Sequence, residues 1–370
     1  MHRLLLSLLT GALVGAFPVT AGAQATPTAE QLAVQWLQCI QQHSNGQVGP
    51  DSDNPIARSA ELVTGLAAMG QDAASLDHGG ASLADFLKTS VSADVGTNGE
   101  LLLARAIEPS TGPTAPVIAQ LTAAKSLVGD TAGEYGGTIF ADALAILGLR
   151  AAGQPIAPDS IQFLRSHQNP QDHGWSFDTA GAYGSDSNTT ALVVQALIAT
   201  GLDAGDSAVQ GGMAYLGTQF VNGGFVSFGT TPDPQSDELG IQAIAATSLA
   251  GDTTWGPRLQ SALADLRGRQ LSSGTDRGAF SAYDRLMATT PAPAALLQRP
   301  LTQTGVSDVK TPLLDCPAAA ATTPTPPPSP SPASHAAQLA QTGSGPIAPL
   351  IAGVWLVLAG LLLARRHRAR

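Results

Sequence analysis

The sequence predicts an all-α body over residues 26–316, and three observations predict it. A motif made of an aromatic-Leu pair, a glutamine, and a Gly close to a ring residue recurs along the chain. Each copy leads into an apolar segment dense in Ala and Leu, several closing on a glycine suited to a left-handed cap (Gly70, Gly153, Gly201, Gly251). Strand signals are scarce: no run alternates cleanly for long, and β-branched clusters are brief. The repeat decides the organisation, because the length alone fits one large domain or two.

Taken in order, "WLQCIQQHSNGQV" supplies Trp36, Leu37, Gln41 and Gly46, and "IARSAELVTGLAAMG" follows. A fainter copy opens at Phe86-Leu87 and leads into "GELLLARAI"; one fainter still, "AKSLVGDTAGEYGG", precedes "TIFADALAILGLRAAG". The fourth copy has Phe163, Leu164, Gln168, Gly174 and Trp175 before "TTALVVQALIATG". The fifth has Tyr215, Leu216, Gln219, Gly224 and Phe225 before "ELGIQAIAATSLAG". The sixth has Leu266, Gln270, Gly278 and Phe280 before "SAYDRLMATT". Helices preceding the motifs, such as "AEQLAVQWLQCIQQ", are amphipathic and predict an outer layer. The Ala-rich ones are apolar nearly all round and belong inside.

The ends carry addresses. Residues 1–25 read as a secretory signal peptide: His2 and Arg3, an apolar stretch from Leu4 to Phe17, then small residues offering cleavage after Ala23 or Ala25. A Pro/Thr/Ser-rich spacer occupies 317–338, too polar and Pro-rich to pack a core. "LAQTG" follows (Leu339, Ala340, Gln341, Thr342, Gly343), then an apolar segment 347–364 and a basic tail 365–370. At about 1.5 Å per residue that segment covers about 27 Å, close to a bilayer's hydrocarbon core. The terminal arginines place the tail in the cytoplasm and the body outside. This tail resembles the sorting signals by which sortases join bacterial surface proteins to peptidoglycan, with Ala340 where the family pattern L-P-x-T-G has proline. The resemblance implies cleavage between Thr342 and Gly343, with sortase and peptidoglycan as partners; a plain single-pass anchor is the other reading.

Composition agrees with a surface protein. The formal charge is −10 and basic residues are few, which argues against nucleic acid as a partner. The two cysteines, Cys39 and Cys316, are expected to pair in an exported chain, tying the first helix to the end of the domain.

The aromatic-Leu-x3-Gln…Gly-x-aromatic pattern resembles the QW repeat of squalene and terpenoid cyclases. The same helical pair occurs in prenyltransferase β subunits, thioester domains and cobalamin carriers. The resemblance covers residues 28–315, is clear in four units and weak in two, and implies an α/α toroid of about six inner and six outer helices. It implies also that Gln41, Gln168, Gln219 and Gln270 are structural ties.

The enzymatic signatures of that fold are not in the sequence. A protonating cyclase needs carboxylic acids held neutral by neighbouring carboxylates, in a D-x-D-D pattern. The nearest stretches, "DSDN" (Asp51, Asp53) and "DPQSDE" (Asp233, Asp237, Glu238), have the wrong spacing. There is no D-D-x-x-D, no Asp/Cys/His zinc set, no C-G-E-Q and no G-x-S-x-G. No catalytic residue, metal ligand or cofactor is therefore expected.

What recurs is Ser-Asp before an inner helix: Ser185-Asp186, Ser236-Asp237 and, less closely, Ser52-Asp53. Such residues cap helices, and a cap can also face a ligand at a cavity mouth. "SDSNTTALVVQAL" resembles the inner-helix start of cobalamin carriers, which implies a corrinoid. The small closing domain of those carriers has no counterpart here, where Cys316 runs straight into the spacer. The candidate ligand-binding residues are thus Asp186 and Asp237 with the loop aromatics Trp175, Phe177, Tyr183, Phe225, Phe228, Phe280 and Tyr283, which either pack beneath the turns or line the mouth. The expectation is an exported, wall- or membrane-anchored, noncatalytic module that binds a small ligand or a surface protein. The alternatives are a divergent terpenoid cyclase or prenyltransferase-like enzyme, with Asp186 and Asp237 as acid/base or metal-binding residues, and a purely adhesive or structural protein.

Overall fold

A computed structural model describes residues 26–49, 52–301 and 305–316. The signal peptide, spacer, LAQTG motif, apolar segment 347–364 and basic tail lie outside the described residues. No described helix is long and apolar enough to cross a membrane.

Twelve α-helices form among the described residues: α1 Ala29–Cys39, α2 Pro55–Ala68, α3 Leu83–Thr89, α4 Val95–Ile107, α5 Ala115–Ala124, α6 Ile139–Ala151, α7 Pro158–Ser166, α8 Ser187–Ala199, α9 Ser207–Thr218, α10 Pro234–Ala246, α11 Trp255–Gly268 and α12 Ala292–Leu296. Their starts follow from local chemistry. Thr28 and Gln31 make a capping box on α1, and Asn54, Asp94, Thr138, Asp186 and Asp233 each accept a free N–H at the start of an even-numbered helix. Two short hairpins, β1 Trp175–Ser176 with β2 Ser185–Asp186 and β3 Phe220–Val221 with β4 Gly224–Phe225, are the strands among the described residues.

The even-numbered helices close a ring. α2 packs on α4, α4 on α6, α6 on α8, α8 on α10, α10 on α12, and α12 back on α2. The odd-numbered helices form the outer layer: α3 lies on α2, α5 on α4, α7 on α6, α9 on α8, α11 on α10, and α1 on α12. Each outer helix therefore packs against the inner helix that precedes it, and α1 completes the circle. The core is the interface between the layers, from Leu37, Leu62 and Leu66 round to Leu216, Leu263 and Phe280.

Two details depart from the sequence reading, and one helix contact lies beyond it. The sixth inner helix was expected over Ser281–Thr290, yet that stretch forms turns and the helix is the short α12. Asp284 accepts the N–H of Met287, and Thr289 donates to the carbonyl of Arg285, so local side-chain bonds close tight turns before Pro291. At the end of α10 it is Ser248, φ 58°, not Gly251, that takes the left-handed position. Gly251 instead ends the short 3-10 turn Leu249–Gly251. Finally, α4 and α6 approach through Gly99 and Gly148. A Cβ on Gly99 would stand 2.5 Å from the Leu144 backbone, and one on Gly148 would stand 2.5 Å from the Gly99 carbonyl.

The glutamine ties are visible. Gln41 Nε2 donates to the carbonyls of Gly46 and Leu76, Gln168 Nε2 to His173 and Ala208, and Gln270 Nε2 to Gly278 and Ala29. Each amide thus pins its own loop; Gln168 and Gln270 also pin the start of the next outer helix, Gln41 reaches Leu76 in the connection before α3, and the Gln270–Ala29 bond joins the last repeat to the first. Gln219 differs: its amide donates to the adjacent Thr218 hydroxyl. Cys39 and Cys316 form a disulfide with Cα atoms 5.5 Å apart across 277 residues of chain. Beside it the chain from Ser307 to Asp315 lies along α2 and α1. Ser307 and Thr311 donate to the carbonyls of Ala67 and Met69, and Gln31 and Gln35 donate to those of Pro312 and Asp315.

Candidate functional site

The predicted site residues divide into two groups. Trp175, Phe225 and Phe280 are fully buried under their loops. A side chain in the first turn of the following inner helix, or just before it, accepts each ring residue's backbone N–H: Thr190 from Trp175 at 2.9 Å, Asp237 from Phe225 at 2.7 Å, and Thr289 from Phe280 at 3.1 Å. Ser59 does the same for Val48 at 3.2 Å, and Asp142 for Tyr135 and Gly136 at 2.6 and 2.9 Å. The Trp175 indole also donates to the Leu164 carbonyl. In contrast, Tyr183, Phe228 and Tyr283 stand exposed on their loops.

Asp186 and Asp237 do not occupy equivalent places, although each follows a serine. Asp186 is the N-cap of α8, accepting from the Thr189 N–H at 2.8 Å, whereas Asp233 caps α10 and Asp237 sits within its first turn. Burial raises the Asp186 carboxyl, raises Asp142 to about 7, and raises Asp237 to about 9, where the nearby Asp265 adds to the effect. These carboxyls stabilise loop joints. None of the nine predicted residues lines the cavity at the centre of the ring; the Phe177 ring stands 5.9 Å from that of the lining residue Phe140.

That central cavity holds the acids which sequence reasoning missed. It is narrow, about 50 Å³, and its walls are mostly apolar, with Leu103, Phe140, Leu144, Leu192, Leu239 and Leu301 beside the polar Thr64, Gln235 and Gln242. Glu61 from α2, Glu100 from α4 and Glu238 from α10 also line it. Leu301 is held at one end of the ring, its N–H donating to Gln195 of α8, while Gln242 of α10 donates to the Arg299 carbonyl.

The three glutamates are wired differently. Arg58, one turn before Glu61 on the same face of α2, binds the Glu61 carboxylate at 2.6 Å, and the Thr290 hydroxyl donates to it at 2.6 Å. Glu100 shares a side-chain hydrogen bond with Glu61. Burial first, and the Glu61 charge second, hold Glu100 well above the usual carboxylate range. Glu238 is fully buried, and neither of its carboxyl oxygens has a hydrogen-bond partner. Burial, then Glu61, push its carboxyl well above the usual range too. An ionised carboxylate without a partner is very costly in an apolar site, so Glu238 keeps its proton near neutral pH. One ion pair thus sits beside two neutral acids, one of them facing apolar space unengaged. Among the described residues no three His, Cys, Asp or Glu side chains are grouped to share a metal ion.

The signal for this cluster was present in the sequence. "SAELV", "NGELL" and "SDELG" each place a single glutamate beside the apolar run of an inner segment, and such a group, once buried, has to find a partner or stay neutral.

Neither a protein-family model nor a curated protein sequence matches the chain. Solved structures do. The type II terpene cyclase MstE from Scytonema, in its apo form, is 15% identical with a TM-score of 0.53, covering 74% of this chain and 98% of that one. A variant of MstE from Scytonema in complex with its substrate, geranylgeranyl dihydroxybenzoate, is 13% identical with a TM-score of 0.51, covering 73% and 96%. The ent-copalyl diphosphate synthase from Streptomyces platensis is 18% identical with a TM-score of 0.48 over 66% of this chain. The chain spans half the length of that enzyme. The ring of paired helices therefore has the fold of type II terpene cyclases.

Proposed function

We propose that the protein is a terpene-cyclase-like acid catalyst, the divergent enzyme among the sequence's alternatives, with Glu238 as proton donor to an apolar alkene. The observation that carries this reading is a fully buried, hydrogen-bond-free carboxyl on the wall of an apolar cavity, beside the Glu61–Glu100 pair. The likeness of fold to type II terpene cyclases is in keeping with it.

The chemistry balances without a co-reactant. The O–H bond of Glu238 breaks, the alkene π pair forms a new C–H bond, and a carbocation stands opposite the new carboxylate. Loss of a proton from a neighbouring carbon back to carboxylate ends the cycle with an isomerised product. Apolar walls favour this, since they keep away water that would trap the cation. Glu238→Gln keeps the shape and removes the acid. It is expected to lower turnover of a polyprenyl alkene by about 10²–10⁴-fold while the protein stays folded, as gas chromatography of products and circular dichroism would show. Full turnover in this variant rules the proposed donor out.

The cavity's small volume favours a second reading, the noncatalytic binding module. Its roughly 50 Å³ accommodates the end of a chain and not a folded polyprene. Under that reading Glu238→Gln alters the affinity for an apolar ligand and no product forms with either protein.

The exported, surface-anchored location is likewise our proposal. The Cys39–Cys316 disulfide supports it, because such bonds persist in oxidising compartments. Thr342→Ala is expected to leave the protein unattached to peptidoglycan; wall-linked material from this variant would remove the sortase reading.

A further inference from the structure

Two histidines that the central site does not use stand together at the first joint of the ring. His43 lies in the loop from α1 to α2, and His78, 35 residues later, in the connection from α2 to α3. Their rings are 4.4 Å apart centre to centre, with 32° between the planes. The backbone fixes that approach. The Ala81 N–H donates to the His43 carbonyl, Gln38 Nε2 to the Asp77 carbonyl and Gln41 Nε2 to the Leu76 carbonyl, each at 3.0 Å. A Cβ on Gly80 would stand 2.2 Å from the His43 carbonyl oxygen, so glycine is what lets the two segments come this close. No hydrogen bond to another described residue engages either imidazole. His78 Nδ1 is shielded from solvent as well, and so is the unpartnered Gln38 side-chain oxygen, whose amide nitrogen is spent on the residue before His78. Shielded polar atoms without partners are rare in folded proteins and call for a physical account. Neither connecting stretch, 40–54 or 69–82, contains a Lys or Arg, and Asp77 adjoins His78.

We propose that His43 and His78 jointly bind a divalent transition ion, zinc in the first instance, which clips the α1–α2 loop to the chain entering α3. Imidazole nitrogen suits zinc, nickel and copper, whereas magnesium and calcium take oxygen ligands. An ion about 2.0–2.1 Å from one nitrogen of each ring leaves the ring centres roughly 5 Å apart, so the observed spacing needs little adjustment. The Gln38 oxygen offers a further donor, and water fills the remaining positions. Neutral imidazoles bring no charge of their own, and no basic side chain of the two stretches opposes a cation. His43 is four residues beyond Cys39, so the ion fastens the first joint next to the disulfide that closes the ring. This inference depends neither on the acid-catalyst reading nor on the surface address.

The test uses the full-length protein in detergent, without a polyhistidine tag, with zinc chloride as the probe and magnesium chloride as the control. Titration calorimetry and thermal unfolding are read for the native protein, His43→Ala and His78→Ala, with circular dichroism to check folding. The native protein is expected to bind one zinc per chain, to melt at a higher temperature with zinc, and to ignore magnesium. Each variant is expected to bind zinc at least about tenfold more weakly, since the loss of a ligand costs no less than the loss of an outer partner. Should a variant not fold, the native protein still decides. Diethyl pyrocarbonate modifies accessible imidazoles, and zinc is expected to protect His43 while the exposed His173 of the α7–α8 loop stays reactive, as mass spectrometry would show. Absence of zinc binding, or a His43 as reactive with zinc as without it, overturns the proposal. Equal zinc affinity in the native protein and both variants overturns it too, because the ion is then held elsewhere on the chain.

Discussion

Glu238 and Asp237 are adjacent in sequence and do unrelated work. Asp237 faces the loop and accepts the Phe225 N–H, whereas Glu238 faces the ring's centre and accepts nothing. Both are held neutral by burial, so the linkage has one sign. A carboxyl whose folded pKa is raised stabilises the fold at pH values below its unfolded value, near 4, and that contribution is lost as pH climbs through the folded value. With Asp142 at about 7 and Asp237 at about 9, the melting temperature is expected to fall steadily between about pH 4 and pH 9. Asp237→Asn retains an oxygen for the Phe225 N–H and removes the titration. It should match the native protein at pH 4 and melt several degrees higher at pH 8; scanning calorimetry at the two pH values decides. The sequence showed both carboxyls in "SDELG" but not which way each points, because one helical step turns a side chain by about a quarter of the circumference.

At the scale of elements, the repeat is a joint before it is a site. The glutamine, the buried ring and the acceptor at the start of the inner helix turn an outer helix into an inner one. Gln41, Gln168 and Gln270 each donate two hydrogen bonds to backbone carbonyls, and Gln219 donates one to its neighbour. Gln270→Ala is therefore expected to cost about 1–3 kcal/mol in urea unfolding, and Gln219→Ala less than about 1 kcal/mol. Equal losses would mean that the amide bonds are not what distinguishes them. The α4–α6 seam makes a sharper demand. Gly99→Ala forces the two helices apart and is expected to cost about 1–3 kcal/mol by the same measurement. The glutamines were legible from their spacing. The Gly99–Gly148 contact was not, because it joins two helices whose separation only packing sets.

At the scale of the molecule, closure is made three times over: α12 packs on α2, Gln270 donates to Ala29, and Cys39 bonds Cys316. The disulfide closes a loop spanning nearly the whole ring, so its removal in Cys39→Ser/Cys316→Ser is expected to cost up to about 5 kcal/mol in the chain-entropy account. Comparing the melting temperatures of the double variant and the native protein would check this; little change would mean that ring packing alone confines the ends. The helical class, the alternation of outer and inner helices, and the pairing of the two cysteines were determined by the sequence alone. Hydrophobic periodicity, turn residues and cysteine count act locally or leave few choices. Tertiary structure alone decided that each outer helix rests on the inner helix before it, that the sixth inner helix is α12, and that Glu61, Glu100 and Glu238 meet. Glutamates on three separate inner helices converge only because the ring closes, and whether a buried acid finds a partner depends on every helix packed around it.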